Sequence, residues 1–129
     1  MSEILYDTRY FLALYGAKEP SQKQRFRAEL EARKIRYTSA MTIHEVYRVS
    51  LEEEGREVAR MRKRAIERDF EIIDVDSDIA SEAAEIKVAQ GRDFPLADAI
   101  MGATARVHKL MCFTDDGHIK ALGIKTRWI

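Results

Sequence analysis

Residues 111–118 read MCFTDDGH, an apolar run that ends in a threonine and two adjacent carboxylates. Asp and Gly are turn residues, and Asp116-Gly117 is an ordinary way to stop a strand. Three further acids give the ending a second reading. Asp7 directly follows the apolar triplet ILY, Glu45 lies in TIHEVYR, and Asp98 lies in LADAIMGATA, facing Met101, Gly102 and Ala105 at helical spacing. A carboxylate on so apolar a face is costly unless something pairs it. Carboxylates drawn together repel and raise one another's pKa values unless a cation neutralises them. Oxygen-only ligand sets of this kind suit Mg²⁺ or Mn²⁺, which keep several waters and borrow phosphate oxygens from a substrate. Four or five such acids at one edge therefore point to phosphate-ester chemistry.

Each acid also has a plainer role. Asp7 can open an Asx turn or cap a helix starting near Arg9. Glu45 stands three residues after Thr42, the spacing of a capping box. Asp98 in a first turn complements the helix dipole. His44 and His118 neighbour Glu45 and Asp116 and could touch substrate, with a solvated or structural histidine as the alternative. His108 ends a helix, where a cation suits the dipole.

The acids act together only if the fold brings them together. Short apolar runs read as strands at Ile4–Tyr6, Arg36–Ser39, Phe70–Val75, Met111–Thr114 and Ile124–Ile129. Helical patterns cover Pro20–Lys34, Thr42–Glu53 and Ser77–Gln90, the last stopped by Gly91, and Pro95 opens a helix that is small or apolar almost all round and so belongs in the centre. The first four strands are separated by helices rather than hairpin turns, which predicts crossovers, a mainly parallel sheet and an α/β/α sandwich. In such sheets ligands bind beyond the carboxyl ends of the strands. Asp7, Asp115 and Asp116 map to strand ends, and Glu45 and Asp98 to the first turns of helices.

With 129 residues, 46% of them hydrophobic, and no linker-like or repeated segment, the chain fits one domain spanning 1–129. Its 22 basic and 22 acidic residues cancel, so attraction for phosphate has to come from a local patch. Cys112 is the only cysteine, which excludes an internal disulfide and a cysteine-built zinc site and fits a small buried residue in a reducing interior. The opening residues lack a basic leader, and no run has the roughly 18 to 20 apolar residues of a membrane helix, so a cytoplasmic protein is expected.

Asp7-Thr8 after the first strand, Glu45 in TIHEVYR, Asp98 in LADAIMGATA and TDD after the fourth strand resemble the PIN-domain nucleases, especially the small toxin type paired with an antitoxin. The likeness runs from about residue 4 to 129. It implies a four-acid site, carried here onto Asp7, Glu45, Asp98 and Asp116, with Thr8 and Thr114 as accessory hydroxyls and one or two Mg²⁺ or Mn²⁺ ions. The family's Thr-x-Asp pattern selects Asp116. The intervening Asp115 departs from that pattern and leaves a substitute or accessory ligand open, and Ile119 stands where an aromatic residue is often found. The resemblance further implies an RNA substrate, a homodimer and a small antitoxin covering the cleft.

The densest basic run lies between Glu54 and Arg68, where five arginines and Lys63 oppose three glutamates, a balance of 6 − 3 = +3. One reading is a solvated helix laced with pairs at four-residue spacing, Glu53 and Glu57 against Arg60 and Arg64. The other is an edge that tracks phosphates through Arg60, Arg62 and Arg64. Tyr10, Phe11, Leu14 and Tyr15 exceed one narrow helical stripe and serve either the core or a partner surface. Two alternatives to a metal-dependent endoribonuclease remain: a non-catalytic module of the same fold binding metal or a basic peptide, and an aspartyl-phosphate enzyme using Asp7. The latter wants a second acid two residues on, where Arg9 stands.

Overall fold

The computed structural model describes residues 3–129, so the first two positions of the expected one-domain span lie outside the described residues. In chain order the elements are β1 (Ile4–Tyr6), α1 (Thr8–Gly16), α2 (Pro20–Glu31), β2 (Tyr37–Ser39), α3 (Ala40–Glu53), α4 (Arg56–Asp69), β3 (Glu71–Ile73), α5 (Ser77–Gln90), α6 (Leu96–His108), β4 (Met111–Phe113), α7 (Gly117–Ala121) and β5 (Thr126–Arg127). The strands form one sheet in the order β3-β2-β1-β4-β5, every pairing parallel. All five strands sit where the apolar runs place them, β1 with the same bounds and the other four shorter at their ends. β3 stops at Ile73 because the next residues lead into α5, whose N-terminal Ile79 N–H is capped by Asp76 Oδ1 at 2.9 Å.

Strand side chains alternate between faces, and the core divides accordingly. Ile4, Tyr6 and Phe113 pack with Tyr10, Phe11 and Phe26 and with Val46 and Ile66 from α3 and α4. Leu5 and Cys112 pack on the other face with Met101, Ala105 and Ile119. Both faces of the sheet are therefore covered, as parallel sheets require, and the fold is an α/β/α sandwich. Helix α6 is central as its composition predicts: every residue from Ala99 to Ala105 is buried, and a Cβ at Gly102 would collide with Leu122 Cδ1. Tyr10 and Phe11 are core, and Leu14 and Tyr15 pack partly buried against them.

Two boundaries differ from the sequence reading in ways that matter for the site. Helix α3 starts at Ala40, capped by Ser39 Oγ accepting from Met41 N–H at 3.0 Å, so Glu45 stands in its second turn and the Thr42/Glu45 capping box does not form. Thr42 is buried, and its hydroxyl meets Thr8 Oγ1 at 3.2 Å. The short helix α7 follows β4 directly, with Asp116 as its cap. The α3 to α4 turn needs Gly55, whose φ of 93° lies in the left-handed region. On the aromatic face, buried Glu29 accepts from Tyr6 Oη at 3.2 Å and Arg127 Nη2 at 3.1 Å, which ties α2 and β5 to the central strand. No helix among the described residues is long and apolar enough to cross a membrane.

Candidate metal and active site

The chain steps outward from β1 to β2 and β3, then returns to lay β4 on the other side of β1. Beyond the carboxyl ends of β1 and β4 lies the crevice that such a reversal opens. Register fixes what meets there. Tyr6 pairs with Phe113, so Asp7 and Thr114, the next residues, stand side by side. Asp7 caps α1, its Oδ1 accepting from Thr8 N–H at 2.8 Å, and its Oδ2 accepts from Thr114 Oγ1 at 2.7 Å. Thr114 Oγ1 in turn accepts from Asp116 N–H at 3.0 Å. A hydroxyl can donate once and still accept, so one threonine positions both acids.

Asp98 enters from the first turn of α6, and His118 from α7. The carboxylates of Asp98 and Asp116 and the His118 imidazole offer ligand atoms that all lie within 4.8 Å of one another. His118 Nδ1 is 3.1 Å from Asp98 Oδ2 and 3.1 Å from Asp116 Oδ1. Asp7 and Glu45 stand outside this tightest group, Asp7 joined to it through Thr114 and Glu45 through the field alone.

The electrostatics match the crowding. Burial pushes the Asp7 carboxyl up to about 6; the Thr114 and Thr8 hydrogen bonds oppose that, and the charges of Asp116 and Glu45 add to it. Burial likewise raises Asp98 to about 6, helped by the charges of Asp116 and Asp7, while His118 pulls it down. Hard carboxylate oxygens forced together at the expense of their ionised forms are a donor set that a divalent cation fits.

The acidic doublet divides its work. Asp116 faces Asp98, whereas Asp115 is ion-paired with Arg9 on the outer rim, and the Arg9 hydrogen bond holds its carboxyl below the usual range. Asp115 is therefore turned out of the acid cluster. His118, which the sequence left between solvent and substrate, sits against both acids. The only local signal for it was its position two residues after Asp116 at a helix start.

The basic run folds as α4 and leaves a groove of about 750 Å³ against α3, floored by Ile43, Tyr47 and Leu51 and edged by Arg48, Arg60, Lys63 and Arg64. The expected Glu53 and Glu57 pairings are not the ones formed. Lys63 pairs with Glu67 and Arg48 with Glu52, each at 3.1 Å, and among the described residues Arg60 and Arg64 make no ion pair. Arg62 is turned inward, donating to Ser50 Oγ at 3.0 Å and lying over the Tyr15 ring at 4.6 Å.

Residues 4–125 match the family model described as PIN domain. Comparison with curated protein sequences gives no significant match. Among solved structures, FitAcB from Neisseria gonorrhoeae is 26% identical, with 95% of each chain covered and a TM-score of 0.75. A toxin-antitoxin complex from Klebsiella pneumoniae is 27% identical over 88% of this chain and 87% of that one, with a TM-score of 0.66. The Mycobacterium tuberculosis toxin VapC20, described as cleaving the sarcin-ricin loop, shares the fold at a TM-score of 0.78, with 21% identity over 95% of this chain and 96% of that one.

Proposed function

The chain belongs to the PIN domain family, and from that premise we propose that it is a metal-dependent endoribonuclease that hydrolyses RNA phosphodiester bonds as the toxin of a toxin-antitoxin pair. The observation that carries the reading is the meeting of Asp98 and Asp116 with Thr114-held Asp7 at the reversal of the sheet. The toxin-antitoxin complex and the loop-cleaving toxin among the similar structures support it.

Asp98 and Asp116, with Asp7 and Glu45 behind them, would hold one or two Mg²⁺ or Mn²⁺ ions. Bound there, they would supply Lewis acidity that activates water near neutral pH and offsets charge on the phosphate. The residues themselves do the positioning. β1 and β4 are rigid posts for Asp7 and Asp116, and the Thr114 hydroxyl fixes the angle between them. Thr8 links α1 to Thr42 of α3, the helix that carries Glu45. Arg60 and Arg64, which edge the α3–α4 groove without an ion pair among the described residues, are the cations assigned to RNA phosphates, with Arg62 supporting them from within.

Assembly as a homodimer, control by a small antitoxin and residence in the cytoplasm complete the proposal. The test is cleavage of a mixed RNA pool by wild type and Asp98→Asn, with Mn²⁺ or Mg²⁺ and with chelator. Metal-dependent cleavage that vanishes in the variant is expected. Cleavage unaffected by the substitution would remove Asp98 from the site, and no cleavage by either protein would favour a binding module.

A further inference from the structure

The four-acid pattern supplies oxygen ligands alone; the geometry adds a nitrogen. We propose that His118 is itself a metal ligand, through Nδ1, and that it biases this site toward Mn²⁺ over Mg²⁺. The inference rests on the metal reading of the acid cluster and names a ligand that reading lacks.

Three donor groups form the cup, Asp98 from α6, His118 from α7 and Asp116 from the cap of α7. Nδ1 of His118 lies at 3.1 Å from an oxygen of each of two different carboxylates, Asp98 Oδ2 and Asp116 Oδ1. Neighbouring donors on one ion held at about 2.1 Å in octahedral geometry stand roughly 3 Å apart, so both separations are those of ligands that share an ion. Of the ionisable side chains described, these three make the group whose ligand atoms all approach within 4.8 Å.

The imidazole is placed rather than free. The His118 backbone N–H donates to Asp116 Oδ1 at 2.7 Å, which anchors the residue to the acid it faces. The ring meets Phe94 edge to face, with centroids 5.4 Å apart and planes at 81°. Phe94 is itself buried in the core between α5 and α6, so it presents a fixed wall. Asp98 is held by a helix whose next seven buried residues allow it no freedom to retreat. His118 stands on the solvent side of the cup, its side chain 55% accessible against 15% for each acid, so the cup is open to an RNA phosphate.

The donor change has a chemical consequence. Mg²⁺ favours oxygen and holds its waters tightly, whereas first-row transition ions accept imidazole readily. A nitrogen in the cup therefore raises Mn²⁺ affinity and leaves Mg²⁺ affinity almost unchanged.

The competing account makes the ring a counter-charge that any metal displaces, and the two accounts differ in what a bound Mn²⁺ sees. The experiment uses the full chain grown with ¹⁵N-histidine, loaded with Mn²⁺ alone, and reads hyperfine coupling to nitrogen by pulsed electron paramagnetic resonance. Mn²⁺ and Mg²⁺ titrations of wild type, His118→Ala and His44→Ala accompany it. The expected result is histidine ¹⁵N coupling in wild type and His44→Ala that is lost in His118→Ala. Mn²⁺ affinity should fall on the order of tenfold or more in His118→Ala with Mg²⁺ affinity within about twofold, in line with the cost of disturbing a metal's ligand shell. Bound Mn²⁺ without histidine coupling in wild type would overturn the proposal while leaving the carboxylate-metal site standing. Coupling that survives in His118→Ala would overturn it too, as would equal gains in affinity for both ions in that variant. A wild-type chain that binds neither ion would instead overturn the metal reading from which the proposal starts.

Discussion

Thr114 Oγ1 donates to Asp7 Oδ2 at 2.7 Å across 107 positions of sequence, joining the ends of the two central strands. The same oxygen accepts from Asp116 N–H at 3.0 Å. Thr114 is wholly buried and Asp7 is 4% exposed, so water does not substitute for either bond. The separation of two acids on two strands is thus set by one hydroxyl.

Thr114→Val keeps the shape and removes that hydroxyl. The buried Asp7 oxygen and the Asp116 N–H lose their partner, which costs about 1–3 kcal/mol for each unsatisfied group. Denaturant unfolding should register the loss, and RNA cleavage should fall with it as Asp7 and Asp116 lose their mutual angle. Thr114→Ser should restore most of both. A valine variant as stable and active as wild type would show that the strands alone set the geometry.

The raised carboxyls predict a pH dependence of the metal-free fold. Asp7 and Asp98 bind protons up to about pH 6 when folded but only to near 3.8 when unfolded. Between those values the folded state holds more protons, so stability is greatest at the acid end and declines as pH rises through 6. Thermal melts in chelator should fall from pH 4 to pH 7.5. Asp98→Asn should flatten that fall and be the more stable protein at pH 7.5, by on the order of 1 kcal/mol once the rise of the half-buried Asp98 carboxyl is discounted for solvent screening. A melting temperature that rises over this interval, equally in both proteins, would contradict the crowding.

The neighbouring acids give a sharper contrast. Asp116 faces Asp98, and Asp115 pairs with Arg9 on the exposed rim. Asp116→Asn should abolish cleavage and metal binding. Asp115→Asn should leave both near wild type and cost no more than a surface ion pair, about 0–1 kcal/mol. Loss of metal binding in the Asp115 variant, measured by titration, would reverse the assignment.

The contrast also marks where sequence reasoning reached its limit. Apolar runs separated by helical patterns were enough for the parallel sheet, and acids at strand ends pointed to the edge where Asp7 and Asp116 lie. Alternation of side chains says that adjacent residues of a doublet diverge, but not which one turns inward; the Thr-x-Asp likeness chose Asp116, and what holds Asp115 on the rim is Arg9, 106 positions away. Glu45 stands at capping-box spacing from Thr42, the plainer of its two readings. The helix begins two residues earlier at Ala40, and Thr42 is drawn instead to Thr8 across the sheet edge. His118 lies on a five-residue helix too short to leave a periodic signal, so its contact with Asp98 follows from tertiary packing alone.

The arginines of α4 separate binding from folding. Arg60 and Arg64 edge the groove without ion pairs among the described residues, while Arg62 bonds Ser50 and stacks on Tyr15. If Arg60 and Arg64 each neutralise an RNA phosphate, replacing both with alanine should weaken binding and reduce the salt slope by about 1.4, since each single-strand phosphate contact contributes about 0.7. Arg62→Ala removes a partly buried hydrogen bond and a cation–π contact, so it should lower stability by on the order of 1 kcal/mol. Its own effect on the salt slope should be small, because that charge faces Tyr15 rather than the groove. Fluorescence anisotropy of labelled RNA across a salt series, beside unfolding curves for the same proteins, distinguishes the two roles. An unchanged slope in the double variant would move the RNA path off α4, and a changed slope with unchanged stability in Arg62→Ala would mean that this side chain leaves Tyr15 to meet RNA.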